Sequence, residues 1–169
     1  MASTDAVVQV LDIMQPATVF ATPDFRAGGS TPAEALAVWD FDGAADEYLD
    51  FKCRLKGYQG GGLTFTLVWA ATSATAGNVR WGLAIRRFED DAEDVDGAHT
   101  YDYNSVDATT ASATGEFQYT AATFTNGADM DSWANDEVAV VRLRREASHA
   151  NDTMNSTDAE LVTLVGQES

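Results

Sequence analysis

The sequence predicts an all-β protein: an antiparallel two-sheet sandwich of about eight strands, of the jelly-roll kind. Three observations carry this. Apolar residues recur at every second position in three successive runs: Leu49, Phe51, Cys53 and Leu55; Leu63, Phe65, Leu67 and Trp69; and Val79, Trp81, Leu83 and Ile85. A period of two buries one face of a strand. Nowhere does a helix-length stretch carry a clean stripe at the 3.6-residue period. Turn-rich breaks separate the runs at the spacing of a sandwich or barrel. Strand order is not written in periodicity, so a jelly roll and another eight-stranded sandwich both satisfy these observations.

Taken in order, residues 1–30 group as an N-terminal arm and residues 31–169 as one sandwich domain. Within the arm, Val7 to Met14 reads as a short strand and Ala17 to Ala21 as an edge strand. Pro16, Pro23, Pro32, Gly28 and Gly29 interrupt anything longer. Val19, Phe20 and Phe25 need a surface to pack on, so the arm either lies over the domain or reaches a neighbouring subunit. Residues 36–41 form a strand with Leu36 and Val38 on one face and Trp39 and Phe41 on the other. The three core runs follow. Their first break, KGYQGGG, holds four glycines, as at a corner with positive φ or close backbone approach. It lacks the Lys-Ser/Thr ending of a phosphate loop, and no helical pattern follows it.

Residues 89–115 are long and polar, with a weak strand around Tyr101, Tyr103 and Val106. Phe117, Tyr119 and Phe124 mark the next strand. NGADMDSWAND reads as a corner or a single helical turn. EVAVVRLRR is a strong strand, residues 146–158 a polar loop, and ELVTLV the last strand.

Composition narrows the function classes. The chain has 169 residues, of which 45% are hydrophobic, which suits one folded domain. No apolar run is long enough for a membrane helix. The opening MASTDAVVQVLDIMQ lacks a secretory signal's basic start and apolar region. The expected setting is the cytosol, or a particle assembled inside a cell and released by lysis. The formal charge is −17, with 27 acidic and 10 basic residues. Such a surface repels phosphate backbones and anionic lipid, so neither nucleic acid nor membrane is an expected partner. The acidity reads as a solvated skin, with adaptation to high salt or binding of divalent cations as the sharper alternatives.

No catalytic, cofactor-binding or metal-binding residues are assigned, no cofactor is expected, and the chain does not read as an enzyme. Cys53 is in phase with the core, so it reads as an inert thiol. His99 and His149 lie in polar loops. The acidic loop 89–97 offers hard oxygen ligands in Asp90, Asp91, Glu93, Asp94 and Asp96. Its Asp94-Val95-Asp96-Gly97 fragment fails as a calcium loop, because Ala92 and Tyr103 would fill the first and last ligand positions. No nucleophile elbow is present, and one cysteine with two distant histidines makes no zinc set.

Aromatic side chains raise a sugar-stacking possibility. Trp69 and Trp81 are in phase with the core, whereas Trp133 and the loop tyrosines are freer; for Trp133 a corner plug is the plainer reading. Arg86, Arg87, Arg142, Arg144 and Arg145 gather at the ends of two strong strands, where they pair with local carboxylates or make a subunit contact.

The run from FDGAADEYLDFKCRLKGYQGGG through GNVRWGLAIRRF, with the closing R-x-A, D-T-M and A-E-L pattern, resembles small virion structural proteins of tailed bacteriophages. The resemblance covers most of residues 36–165. It implies a jelly-roll-like fold and a non-enzymatic place on the virion, most simply as a capsid decoration (cement) protein that stabilises the head. The implied partners are the major capsid protein or another virion protein, and sister subunits in a homo-oligomer, with a trimer favoured. The alternative is a carbohydrate-binding jelly-roll module of a fibre used in host attachment, with Trp133 or loop tyrosines in its site.

Overall fold

The computed structural model describes residues 7–169 apart from Asn155. Ten strands account for its regular structure: β1 (Val7–Met14), β2 (Thr22–Ala27), β3 (Ala35–Phe41), β4 (Glu47–Lys56), β5 (Leu63–Ala71), β6 (Asn78–Phe88), β7 (Asn104–Thr109), β8 (Gln118–Phe124), β9 (Val138–Arg145) and β10 (Ala159–Glu168). One 3-10 turn, Ala128–Met130, supplies the single helical turn expected of the NGADMDSWAND corner.

The strands form two layers. One follows the order β1-β4-β9-β6-β7, the other β2-β3-β10-β5-β8. Every ladder between named strands is antiparallel. The layers join where Val7 and Val8 of β1 meet Gln167 and Gly166 of β10. β10 has β5 along one side, and shares its other side between β3 at Ala159–Leu161 and β1 at its far end.

The alternation read from the sequence sets the inner faces. Leu49, Phe51, Cys53 and Leu55 of β4 face Leu63, Phe65, Leu67 and Trp69 of β5 within one buried cluster. Phe41 and Trp69 both meet Trp81 edge to face, at centroid distances of 5.1 and 5.9 Å. Such pairs add roughly 0.5–1.5 kcal/mol each beyond area burial. β9 buries Ala139, Val141, Leu143 and also Arg145 on its inner face.

Three expectations need correction. The described residues hold ten strands, not about eight. The edge strand expected at Ala17–Ala21 is a single parallel bridge, Phe20 to Tyr48. The strand lies instead at Thr22–Ala27 and contains Pro23. Proline is tolerated there because β2 is an edge strand whose only partner among the described residues is β3. The strand expected around Tyr101 begins at Asn104, and both tyrosines precede it. Residues 7–27, grouped with the arm, form β1 and β2 and join the two layers; residues 1–6 lie outside the described residues.

Candidate functional site: a cleft between two strand edges

Among the described residues β7 pairs only with β6, and β8 only with β5. Their free edges face each other along one side of the sandwich and enclose a cleft of about 400 Å³. Tyr103, Asn104, Ser105 and Val106 form one wall; Ala121, Ala122 and Thr123 form the other. The lining is therefore one aromatic ring, an amide, two hydroxyls and small apolar groups, together with strand-edge backbone.

Each polar group in the β7 wall is held from behind. Asn104 Nδ2 donates to the Thr123 carbonyl at 2.7 Å, across the cleft, and to Asp129 Oδ1 at 2.9 Å. Asp129 is fixed in turn by the Thr125 N–H at 2.6 Å and its hydroxyl at 3.0 Å. The Ser105 hydroxyl donates to Glu146 Oε1 at 2.5 Å. Glu146 also accepts from Arg80 Nε at 3.2 Å and pairs with Arg144 at 3.1 Å. Burial pushes this carboxyl up, but the Ser105 hydroxyl, Arg144 and Arg80 outweigh burial and hold it below its ordinary value. Gly82 of β6 makes this packing possible. A Cβ there would sit 2.9 Å from Glu146 Oε1 and 3.0 Å from Arg144 Nε.

The tyrosine is fixed by a cation. The Arg144 guanidinium carbon lies 3.7 Å from the Tyr103 ring centroid, and Arg142 lies 4.3 Å from that of Tyr101. Arg142 is itself locked by two 2.7 Å bonds to Asp50, one to each carboxylate oxygen. That pairing raises the already high pKa of Arg142 further. Burial pushes the Tyr103 phenol up to about 12 against the pull of both arginines, so it stays neutral and able to donate at physiological pH. Arg86 completes the support by donating to the carbonyls of Asp94 at 2.7 Å and Gly97 at 3.2 Å. The loop 89–103 is thus tied back onto the outer face of β6 and β9.

The other sequence candidates fall elsewhere. Trp133 is 1% exposed and donates from Nε1 to the Glu137 carbonyl at 3.0 Å. It plugs the corner and is removed from any sugar-stacking site. Trp69 and Trp81 are core residues. Of the strand-end arginines, Arg87, Arg142, Arg144 and Arg145 pair with carboxylates, Arg145 inside the core, while Arg86 binds backbone carbonyls. In the acidic loop, Asp94 Oδ1 accepts from the Asp96 N–H at 2.9 Å, an ordinary turn contact. Among the described residues no group of three or more His, Cys, Asp or Glu side chains is placed to hold a metal ion. His99 stacks edge to face on Tyr101, and His149 Nδ1 accepts from the Asn151 N–H. The cleft itself was beyond sequence reasoning, because it is built by two edges that pairing leaves free. Its one legible signal was the loop tyrosines.

No family model matches the sequence, and no curated protein matches it. Among solved structures, the chain is similar to a family 16 carbohydrate-binding module at 16% identity and a TM-score of 0.46, over 86% of this chain and 82% of that one. It is also similar to TmCBM61, solved in complex with β-1,4-galactotriose, at 9% identity and a TM-score of 0.41, over 92% and 91%. Likeness at this level does not transfer a ligand.

Proposed function

We propose that the protein is a non-enzymatic carbohydrate-binding module whose site is the β7–β8 cleft. One observation carries this reading: a cleft of about 400 Å³ that combines an immobilised aromatic ring, Tyr103, with amide and hydroxyl groups fixed by neighbours. Sugars present apolar C–H faces and polar edges, and such a lining suits both. A glycan array followed by calorimetry tests it. The expected result is retention of a defined glycan class, weakened at least about tenfold (1.4 kcal/mol) by Tyr103→Ala and by Asn104→Ala. Binding should be unchanged by Tyr119→Ala, whose exposed side chain lies outside the cleft. Absence of any glycan ligand, or binding indifferent to Tyr103→Ala, would overturn the reading.

A second reading, a virion structural protein docked on a capsid as decoration and assembled in the host cytoplasm, is favoured by a different observation. Six of the ten large apolar side chains exposed among the described residues lie between Val10 and Leu36. Exposed apolar side chains concentrated in this part of the chain suit attachment to a protein, whether the major capsid protein, another virion protein or a sister subunit of a trimer. Attachment of the purified protein to stripped particles, and its mass in solution, test this reading. A monomer with no affinity for particles would remove it.

A further inference from the structure

The two layers do not close on the side opposite the cleft. β1 leaves β10 after Val8, and β3 meets β10 only at Ala159–Leu161. The seam between them opens onto the core as a notch of about 120 Å³. Its floor is Phe51, Leu161 and Leu164, each at most 5% exposed. Val10, Ile13 and the half-buried Trp39 form the rim, with Val10 and Ile13 at 40% and 39% exposure. The register of β1 against β4 shifts between Val10 and Asp12, which kinks this free edge beside the notch. A dry apolar cavity of roughly 150 Å³ holds a benzene-sized guest, so this notch suits one branched aliphatic side chain.

Charge says what carries that side chain. All ten lysines and arginines are engaged within the chain. Nine form ion pairs with eight carboxylates, and the tenth, Arg86, is bound to backbone carbonyls. The strands around the seam carry Asp12, Asp24 and Asp40; Lys52 pairs with Asp12 and Arg26 with Glu160, which leaves Asp24 and Asp40 with no cation beside them among the described residues. A second copy would bring the same acidic rim and be repelled. We infer that the notch receives an aliphatic anchor residue of a partner protein whose surrounding surface is rich in lysine and arginine. Such an arrangement has the form of a binding hot spot: a desolvated apolar plug inside a complementary charged ring.

This deepens the docking reading by naming the partner's chemistry, and it is independent of the sugar cleft. The probes are labelled nine-residue extended peptides with a central leucine flanked by lysines, compared by fluorescence anisotropy with glutamate-flanked and alanine-centred versions. The lysine-flanked leucine peptide should bind at least about tenfold more tightly than either control. Ile13→Asp and the milder Val10→Thr should each reduce that preference, with unchanged thermal melting showing that the fold persists. Equal binding of leucine- and alanine-centred peptides would mean charge attraction alone and overturn the proposal. So would concentration-dependent dimerisation abolished by Ile13→Asp, which would make a second copy the occupant. Particle attachment that survives Ile13→Asp would leave the docking reading standing and remove the notch from it.

Discussion

Arg145 and Asp152 form a two-pronged ion pair inside the protein, with both bonds at 3.0 Å and side-chain exposures of 0% and 1%. The remaining guanidinium nitrogen donates to the carbonyls of Phe41 at 3.2 Å and Thr157 at 2.7 Å. One side chain thus ties the end of β3, the end of β9 and the loop before β10 together. Removing one partner leaves the other buried and charged, which costs about 3–5 kcal/mol. Asp152→Ala and Arg145→Met are each expected to lose that much in urea unfolding. The double variant Arg145→Met/Asp152→Leu should lose less than the sum. Single losses below about 1 kcal/mol would show that water reaches the pair.

Asp40 makes stability fall as pH rises. Burial first, then the carboxylates of Asp158, Glu160, Asp24 and Glu47, raise its pKa from 3.8 to about 6. Between those values the native state holds a proton that the unfolded chain has lost. The resulting stabilisation is complete below about pH 4 and is gone above about pH 6. Asp40→Asn removes this contribution and leaves the smaller one of Glu47, whose pKa burial also raises. It should be more stable than the parent at neutral pH, by about 1–2 kcal/mol, with the gap closing toward pH 4. Parallel melting curves across that range would contradict this.

Most of the core was legible because its strands have one wet and one dry face. Leu49, Phe51, Cys53 and Leu55 of β4 and Val79, Trp81, Leu83 and Ile85 of β6 are all buried as their spacing implies, although β6 also buries Gly82 and Ala84 and β4 also buries Asp50 on the opposite faces. Arg145 was grouped with the strand-end arginines, yet it is in phase with Ala139, Val141 and Leu143, and the structure buries all four. Its charge argues for the surface, and only the distant Asp152 and the Phe41 and Thr157 carbonyls reverse that. β2 was obscured by Pro23, whose effect depends on whether the strand is an edge. Tyr101 and Tyr103 alternate like a strand, but they stack on Arg142 and Arg144 and precede β7. The β7–β8 cleft depends on which edges are left unpaired, and periodicity does not record that.

The KGYQGGG corner contains a backbone approach that admits no side chain. A Cβ on Gly62 would lie 2.5 Å from the Phe124 carbonyl oxygen, and the Gly62 carbonyl accepts from Ser169 N–H at 2.9 Å. Gly62→Ala must push β5 and the end of β8 apart, at a cost of about 1–3 kcal/mol. Gly29→Ala is the control, since a Cβ there meets nothing within 4 Å. Equal denaturation midpoints for the two variants would refute the close approach.

Cys53 should be chemically silent in the folded protein. Its side chain is wholly buried, and burial pushes the thiol up to about 12. The thiolate, which is the reactive form, is therefore scarce at neutral pH and shielded from reagents. A colorimetric thiol reagent at pH 8 should label the unfolded chain stoichiometrically and leave the native protein unlabelled over hours. Fast native labelling would place Cys53 at the surface.

Beyond the Arg87–Glu89 ion pair at its start and the Asp94–Asp96 turn contact, the acidic loop is held by its backbone and by the tyrosines at its end. Arg86 donates to the carbonyls of Asp94 and Gly97, while Tyr101 and Tyr103 anchor the loop's end on Arg142 and Arg144. None of these contacts uses an acidic side chain of residues 89–97. Replacing Asp90, Asp91 and Glu93 by their amides should therefore leave amide exchange in the loop unchanged. Arg86→Ala should speed exchange at Gly97 and its neighbours at least severalfold. It should scarcely move the melting temperature, because the loop opens locally without disturbing the inner faces of β6 and β9. If the amide variants loosened the loop and Arg86→Ala did not, the carboxylates would be its fastening. The loop would then become a place to look for a bound cation.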